Sequence, residues 1–137
     1  MMTIIAHRDQ AFAAVSVVTK RENGTLVTPD SNPLCEIFRM NPETGVYVKD
    51  LNMGNLGEVS LSLVAGSSFL YSAPIDLSDA LFELYELTVT YSYDASAGTN
   101  VDRITLIISN PDTIVFRNRN TTVGSQGTTF KAPTPIL

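Results

Sequence analysis

The chain has 137 residues, of which 44% are hydrophobic and 17% are charged, and its formal net charge is −5 at pH 7. This length and apolar content suit a single folded domain and exclude a disordered chain. The negative charge, without lysines and arginines clustered among aromatic residues, argues against nucleic acid as a partner. The single cysteine, Cys35, excludes an intrachain disulfide, and its apolar neighbours predict a buried, unreactive thiol.

The first ten residues, MMTIIAHRDQ, contain a short apolar run that polar residues soon interrupt. They lack the basic region and the long apolar stretch of a secretory signal, so we expect none. No segment approaches the roughly 18 to 20 apolar residues that cross a bilayer, and we therefore expect a soluble protein without a membrane partner. We predict that residues 1–10 form an N-terminal arm or an edge strand.

The segments that follow have the pattern of short strands separated by turns. AFAAVSVVTK and TLVTP flank the dipeptide Asn23-Gly24, which supplies the positive φ of a tight turn and predicts a hairpin or a kinked strand. LCEIFRM and GVYVKD, on either side of NPETG, predict a second pair of strands. In EVSLSLVA, Val59, Leu61 and Leu63 alternate with polar residues, which predicts one half-buried strand.

The second half of the chain contains the longest alternating runs. ELYELTVTYSYD and VDRITLIIS are joined by DASAGTN, whose turn residues predict an antiparallel hairpin. SSFLYSA and TIVFR predict two further strands, which brings the total to about eight or nine. The residues predicted to face the core from the two long strands are Tyr85, Leu87, Val89, Tyr91, Tyr93, Ile104, Leu106 and Ile108.

PIDLSDALFELY is the exception to the strand pattern. Ser78 and Asp79 are residue types that begin helices, and apolar residues follow them, so we predict one short helical crossover there. Many short strands without a sustained amphipathic helix favour an antiparallel architecture. We therefore predict an all-β fold, a single antiparallel β-sandwich over residues 11–117.

The sequence offers little for catalysis or metal binding. It has one histidine, His7, whereas a zinc site needs several Cys or His ligands. Asp76 and Asp79 are conceivable calcium ligands, but no DxDxDG run is present and turn capping explains both. Glu83 and Glu86 are the candidates for an acid and base pair, although a solvated strand face accounts for Glu86. We predict no enzyme activity, no catalytic residue, no cofactor and no bound metal.

Three tyrosines leave a different class of function open. Tyr71, Tyr91 and Tyr93 would be the stacking platforms of a carbohydrate-binding or adhesion module. The alternation of their strand puts Tyr91 and Tyr93 on its apolar face, which favours positions in the core.

The C-terminal stretch RNRNTTVGSQGTTFKAPTPIL differs from the rest of the chain in charge. Residues 117–137 carry three cations and no acid, a charge of +3, whereas residues 1–116 carry six cations and all 14 acids, a charge of −8. The prolines favour an extended backbone, which lowers the entropy lost on docking. We predict an extended C-terminal arm over residues 118–137 that binds another subunit. The predicted subunit contacts are Arg117, Arg119, Phe130, Lys131, Ile136 and Leu137.

The order of these elements resembles an immunoglobulin-like sandwich over roughly residues 11–117. The segments that carry the resemblance are PDSNPL, DLSDALFELY, YELTVTYSYD and RITLIIS, with Tyr85 near the position of a corner tyrosine. The chain departs from that family because it has no tryptophan and no disulfide pair. Cysteine-poor modules of this kind that end in an extended arm are similar to accessory proteins of tailed bacteriophage particles.

This resemblance implies a non-enzymatic structural protein of a virion, made in the cytoplasm of the bacterial host. A capsid decoration or cement role is the first expectation, and a tail or baseplate role is the alternative. The partners implied are other virion proteins, either the major capsid protein or tail proteins, and further copies of the chain in a homo-oligomer. The chain would bind them through sheet faces and terminal arms.

Overall fold

The structure is a computed structural model that describes residues 2–109. Within these residues the fold is all-β, which confirms that part of the predicted fold class, and no helix is present. Nine strands lie in a large sheet and a small sheet. Their bounds are β1 Met2–His7, β2 Phe12–Val18, β3 Leu34–Met40, β4 Tyr47–Lys49, β5 Glu58–Ser60, β6 Ser62–Leu63, β7 Leu70–Asp76, β8 Leu84–Tyr93 and β9 Gly98–Ser109.

The large sheet has the strand order β1-β9-β8-β3-β4, and β5 pairs with another part of β3. β8 and β9 form the predicted antiparallel hairpin. β1 pairs parallel with β9, from Met2 beside Ile104 to His7 beside Ser109, so the first residues form an edge strand. The prediction of purely antiparallel sheets is wrong at this edge. No hairpin joins β1 to β9, so no turn imposes antiparallel pairing on them.

The small sheet has the order β2-β7-β6, with antiparallel pairs. The predicted single strand EVSLSLVA is instead two short strands in different sheets, since β5 pairs with β3 and β6 pairs with β7. Leu61 lies between them, fully buried, and its N–H donates to the carbonyl of Pro33 at 2.9 Å. Because the chain crosses between sheets at Leu61, Leu63 does not share its face and is 48% exposed.

The turns predicted in the first half are present. Gly24 has a φ of 91°, and its N–H donates to the carbonyl of Arg21 at 2.9 Å. One bridge, between Lys20 and Leu26, follows this turn, so the predicted hairpin is short. The predicted pair of strands in LCEIFRM and GVYVKD is observed as β3 and β4.

Buried residues from both sheets form one hydrophobic cluster. The eight core residues predicted on β8 and β9 are all buried, and two of them, Tyr91 and Tyr93, pack with Val27 in a second, smaller cluster. Burial of such alternating apolar faces is the main stabilising term in folding. The small sheet contributes Ala13, Val15, Val17, Tyr71, Ala73 and Ile75 to the larger cluster.

The predicted helical crossover is wrong. The N–H of Ala80 donates to the carbonyl of Leu77 at 3.0 Å, which makes a turn and not a helix. The Tyr85 hydroxyl accepts the N–H groups of Leu81 and Phe82 at 3.1 and 3.2 Å. An α-helix would need these two N–H groups for carbonyls four residues earlier, so the tyrosine competes with helix formation.

The predictions for the end of the chain lie outside the described residues. These are the strand in TIVFR, the extended arm over residues 118–137, and the boundary between domain and arm at residue 117. The six predicted subunit contacts also lie outside them: Arg117, Arg119, Phe130, Lys131, Ile136 and Leu137.

Candidate interaction surface

The acidic residues considered as calcium ligands lie at a turn. Asp76 accepts the N–H of Ser78 at 2.9 Å, and this hydrogen bond lowers the pKa of the Asp76 carboxyl. Turn capping by Asp76 is therefore confirmed, and Asp79 is exposed beside it. Residues 2–109 contain no group of three His, Cys, Asp or Glu side chains that could hold a metal ion.

The residues considered for acid and base chemistry are His7 on β1, Glu86 on β8 and Glu83 just before β8, and each has its own contacts. His7 is exposed at the end of β1, with its Nδ1 atom 3.1 Å from Oγ of Ser109. Glu86 lies on the outward face of β8, 3.9 Å from Arg103 of β9. Glu83 is exposed just before β8. Glu86 therefore lies on the outward face of its strand, as the sequence predicted.

Cys35 is fully buried on β3, as predicted. Burial raises the pKa of its thiol to about 12. Since the thiolate is the nucleophilic form, Cys35 is unreactive near neutral pH.

The three tyrosines considered as sugar platforms are buried, which confirms their predicted place in the core. The Tyr91 hydroxyl donates to the carbonyl of Lys20 at 3.1 Å and accepts the Lys20 N–H at 2.9 Å. Burial raises the pKa of Tyr91. Tyr93 accepts the N–H of Glu22 at 3.2 Å, and Tyr71 lies in the larger cluster. None of these three rings offers an open face on which a sugar could stack.

Charged residues on one part of the large sheet form close pairs. Lys49 Nζ lies 2.7 Å from Glu58 and 3.1 Å from Glu36, and its hydrogen bonds to these carboxylates raise the pKa of Lys49. At the end of the β8–β9 hairpin, Arg21 lies 2.9 Å from Asp94, and its hydrogen bond lowers the pKa of Asp94. Exposed pairs of this kind add little stability, but they keep the surface polar.

The outer face of the large sheet also carries a row of apolar side chains. The register puts Ile5 beside Ile107 and Ile107 beside Leu84, and it pairs Met40 with Tyr47. Extending the register of β3 and β8 by one residue puts Leu84 beside Met40. The row therefore crosses five strands, and Ile5 at its end is 66% exposed. We call Ile5, Ile107, Leu84, Met40 and Tyr47 the apolar row.

The neighbouring rows of this face are mostly polar. The next row contains Thr3, Thr105, Glu86, Phe38 and Lys49. The row after it contains Arg103, Thr88, Glu36 and Glu58. The apolar row is thus confined to one end of the outer face, the end at which β9 finishes.

β1 is an outer strand of the large sheet, and one side of its backbone faces away from the sheet. The Arg8 N–H donates to the carbonyl of Ser109 at 2.9 Å. In a parallel ladder this hydrogen bond means that the N–H and C=O groups of the even-numbered residues of β1 point toward β9. The N–H and C=O groups of Thr3, Ile5 and His7 therefore point outward.

Among residues 2–109, partners for the outward groups of β1 lie only at one end of the strand. The side chain of Gln10 accepts the N–H of His7 at 2.8 Å, and the Gln10 N–H donates to the His7 carbonyl at 3.0 Å. Thr3 and Ile5 lie beyond this cap. The strand MTIIAH contains no proline, no acid and no Lys or Arg. We call the outward backbone groups of Thr3 and Ile5 the open edge.

Two open grooves border the sheets. The larger, about 750 Å³, runs beside the first half of β9, because β1 pairs only with the residues from Ile104 to Ser109. The smaller, about 390 Å³, lies at the other end of these strands. The larger groove is lined by Met2, Val17, Val18, Lys20, Val101, Asp102, Arg103 and Ile104. The smaller is lined by Arg8, Met40, Pro42, Leu81, Phe82, Glu83 and Leu84.

Sequence reasoning predicted an edge strand as one alternative for residues 1–10, but it missed the apolar row and the strand that β1 pairs with. The pairing of β1 with β9 and the side-by-side order of the other strands are long-range features that local periodicity does not reveal. One signal was present, because Ile107 occupies a position in VDRITLIIS at which the alternation calls for a polar residue.

Comparison of the chain with protein-family models, with curated proteins and with solved structures finds no match. In the part of the chain that the structure describes, no helix is long and apolar enough to cross a membrane.

Proposed function

We propose that this chain is a non-enzymatic assembly protein that binds other protein subunits through the outer face and the edge of its large sheet. The observation that carries the proposal is that the apolar row and the open edge meet at Ile5. Proteins usually protect exposed strand edges, because unpaired backbone groups recruit further strands. An unprotected edge beside apolar side chains suits a protein partner that adds a strand or packs on the sheet.

We infer that the two sheets form an immunoglobulin-like sandwich. Support comes from the single cluster of buried residues to which both sheets contribute. Further support comes from Tyr85, whose hydroxyl accepts the N–H groups of Leu81 and Phe82. A corner tyrosine in that family makes the same kind of bond to backbone a few residues upstream.

Within this class we propose a virion protein, made in the bacterial host, that decorates or cements a capsid. The resemblance to accessory proteins of tailed phage particles supports this role. The separation of charge supports it too, since residues 117–137 carry +3 and residues 1–116 carry −8. A basic arm of one subunit is attracted to the acidic body of the next, which favours assembly and correct register. A tail or baseplate role would use the same surfaces on tail proteins.

Co-sedimentation tests the virion role. The purified chain is mixed with capsids and with tails of the phage or prophage whose genome encodes it. We expect the chain to sediment with capsids, and an Ile107→Glu variant in the apolar row to lose this binding. The matched control is Leu63→Glu, which changes an exposed leucine of the small sheet. Failure to bind either particle, or a genome without virion genes, would overturn the role.

We do not propose a carbohydrate-binding function. The observation that favoured it was the set of tyrosines, and Tyr71, Tyr91 and Tyr93 are buried.

A further inference from the structure

The strand that carries the open edge has an apolar side chain on each face, and Thr3 and His7 flank Ile5 on the outer face. On the outer face Ile5 lies beside Ile107, and on the inner face Ile4 packs against the hydrophobic cluster. Backbone pairing at such an edge supplies affinity, and apolar side chains on both faces favour a partner strand that is itself apolar on both faces. The occupant should therefore be a short, β-prone segment whose central residues are uncharged.

The sequence that follows β9 contains a segment of this kind. After the turn residues Asn110, Pro111 and Asp112, it reads TIVFR, with β-branched and aromatic residues in alternation. This segment has no place beside the end of β9, because residues 104–107 pair with β8, Ile108 donates its N–H to the carbonyl of Glu83, and residues 104–109 pair with β1 on the other side. β1 is the strand beside the end of β9, and its outer side is the open edge.

A chain's own TIVFR segment would have to pass the turn after β1 to reach its own open edge. Reaching that edge from Ser109 means crossing two strand spacings, about 10 Å, with a link that spans at most about 14 Å when fully stretched. Gln10 lies at the end of this edge, where it binds both outward groups of His7. Pro111 further restricts the link. A segment from a second molecule approaches the same edge without these restrictions.

We propose that the open edge of β1 receives residues 113–117 of a second copy of this chain as an added β-strand. The contact specifies one interface of the assembly role proposed above and rests on that role. Charge favours it, since the incoming segment ends in Arg117 and leads into residues with no acid, while the receiving body is acidic.

Cross-linking of full-length chains tests the contact. Chains carrying Ile5→Cys are mixed with chains carrying Val115→Cys or Ile114→Cys, so that one cysteine faces Ile5 in either orientation of the segment, and the mixture is oxidised. Cys35 does not compete, because it is buried and its thiol has a pKa of about 12. The control replaces Ile5→Cys with Leu56→Cys, at an exposed residue of the loop between β4 and β5, on the opposite edge of the large sheet. Thermal unfolding of each variant confirms that it is folded.

The expected result is a disulfide-linked pair of chains joining position 5 to position 114 or 115, and none with the Leu56→Cys chain. A Val115→Pro change in the Ile114→Cys chain should abolish this cross-link, because it removes a strand N–H. The matched Val123→Pro change should leave it intact. The absence of a cross-link, or cross-links only between two Ile5→Cys chains, would overturn the proposal. A third variant carries both Ile5→Cys and Ile114→Cys or Val115→Cys in one chain, and an intrachain disulfide in it would also overturn the proposal.

The same samples separate this inference from the proposed function. Capsid binding or a mass above that of the monomer, without the cross-link to position 5, overturns the strand contact and leaves the assembly role standing. A monomer that sediments with neither capsids nor tails overturns both.

Discussion

The two edges of the large sheet differ in length, charge and backbone pairing. β4 and β5 form one edge, with three residues each, and Lys49 there pairs with Glu36 and Glu58. β1 forms the other edge, with six residues and no ion pair among the described residues. Short strands and charges are the usual means of protecting an edge from unwanted pairing. We call the edge formed by β4 and β5 the protected edge, in contrast to the open edge of β1.

Removing the side chain that fixes the protected edge should have the largest effect. Leu61 is fully buried where the chain leaves β5 for the small sheet, so Leu61→Ala should lower the free energy of unfolding by about 2–5 kcal/mol. Chemical denaturation measures the loss. Leu63→Ala, at a residue that is 48% exposed, is the control and should cost much less. Equal losses would show that Leu61 does not fix this edge.

A backbone change at the protected edge should come next. Gly57 has a φ of 83°, and a Cβ atom there would lie 2.9 Å from Cγ of Lys49 and 3.1 Å from the carbonyl of Asp50. Gly57→Ala should therefore destabilise the fold by about 1–3 kcal/mol through strain and contact together.

Gly24→Ala is the matched control for the glycine prediction. Gly24 also has a positive φ, 91°, but a Cβ there would meet nothing within 4 Å. Gly24→Ala should therefore add backbone strain alone, and it should lower the melting temperature less than Gly57→Ala does. A larger loss at Gly24 than at Gly57 would contradict this account of the protected edge.

Removing the positive charge of Lys49 from the protected edge should lower the stability of the fold only slightly, and the loss should depend on pH. The pKa of Lys49 is raised, chiefly by its hydrogen bond to Glu58, so its contribution is present below the ordinary lysine pKa of 10.5 and is lost as pH rises through the raised value. Lys49→Met should lower the melting temperature slightly at pH 7, and the difference from the unmodified chain should vanish at higher pH. Lys20→Met, at an exposed lysine, is the control. A difference that persists at high pH would exclude the ion pair as its cause.

A charge on the open edge should have the smallest effect on folding. Ile5 is 66% exposed, so Ile5→Lys should change the free energy of unfolding by no more than about 0.5 kcal/mol. It should nevertheless reduce the mass of any oligomer measured by light scattering, because a charge beside the paired strand disfavours addition. Leu56→Lys, at a residue that is 68% exposed at the other edge, is the control and should leave the mass unchanged. If both variants changed the oligomer mass equally, the open edge would not differ from the protected edge in its capacity to bind a strand.

Local alternation was enough to predict the strands that form the centre of the large sheet. Period-two patterns around Leu87 and Leu106 identified β8, β9 and their buried faces, because each face meets the core along its whole length. The same reasoning failed at Leu61, where one alternating run serves two sheets. It failed again before Tyr85, whose hydroxyl takes the N–H groups that a helix would use.

The candidate surface was less predictable than the core. The sequence analysis placed subunit binding on sheet faces and terminal arms, but it identified neither Ile107 nor the outward groups of Thr3 and Ile5. The place of Ile107 in the apolar row follows from the pairing of β9 with its neighbours, and the outward groups of Thr3 and Ile5 follow from the pairing of β1 with β9. Such long-range pairing leaves no local signal in composition or periodicity.

The parallel pairing of β1 with β9 also bears on when the protein can finish folding during its synthesis. Met2 lies beside Ile104, so almost the entire described chain must leave the ribosome before β1 has its partner. Contacts between residues this far apart in sequence form slowly, since the loop between them must first be closed. Until then MTIIAH remains an uncharged strand with neither side paired, the kind of segment that aggregates or engages chaperones. The completion of β9 therefore ends the period in which β1 is exposed without a partner.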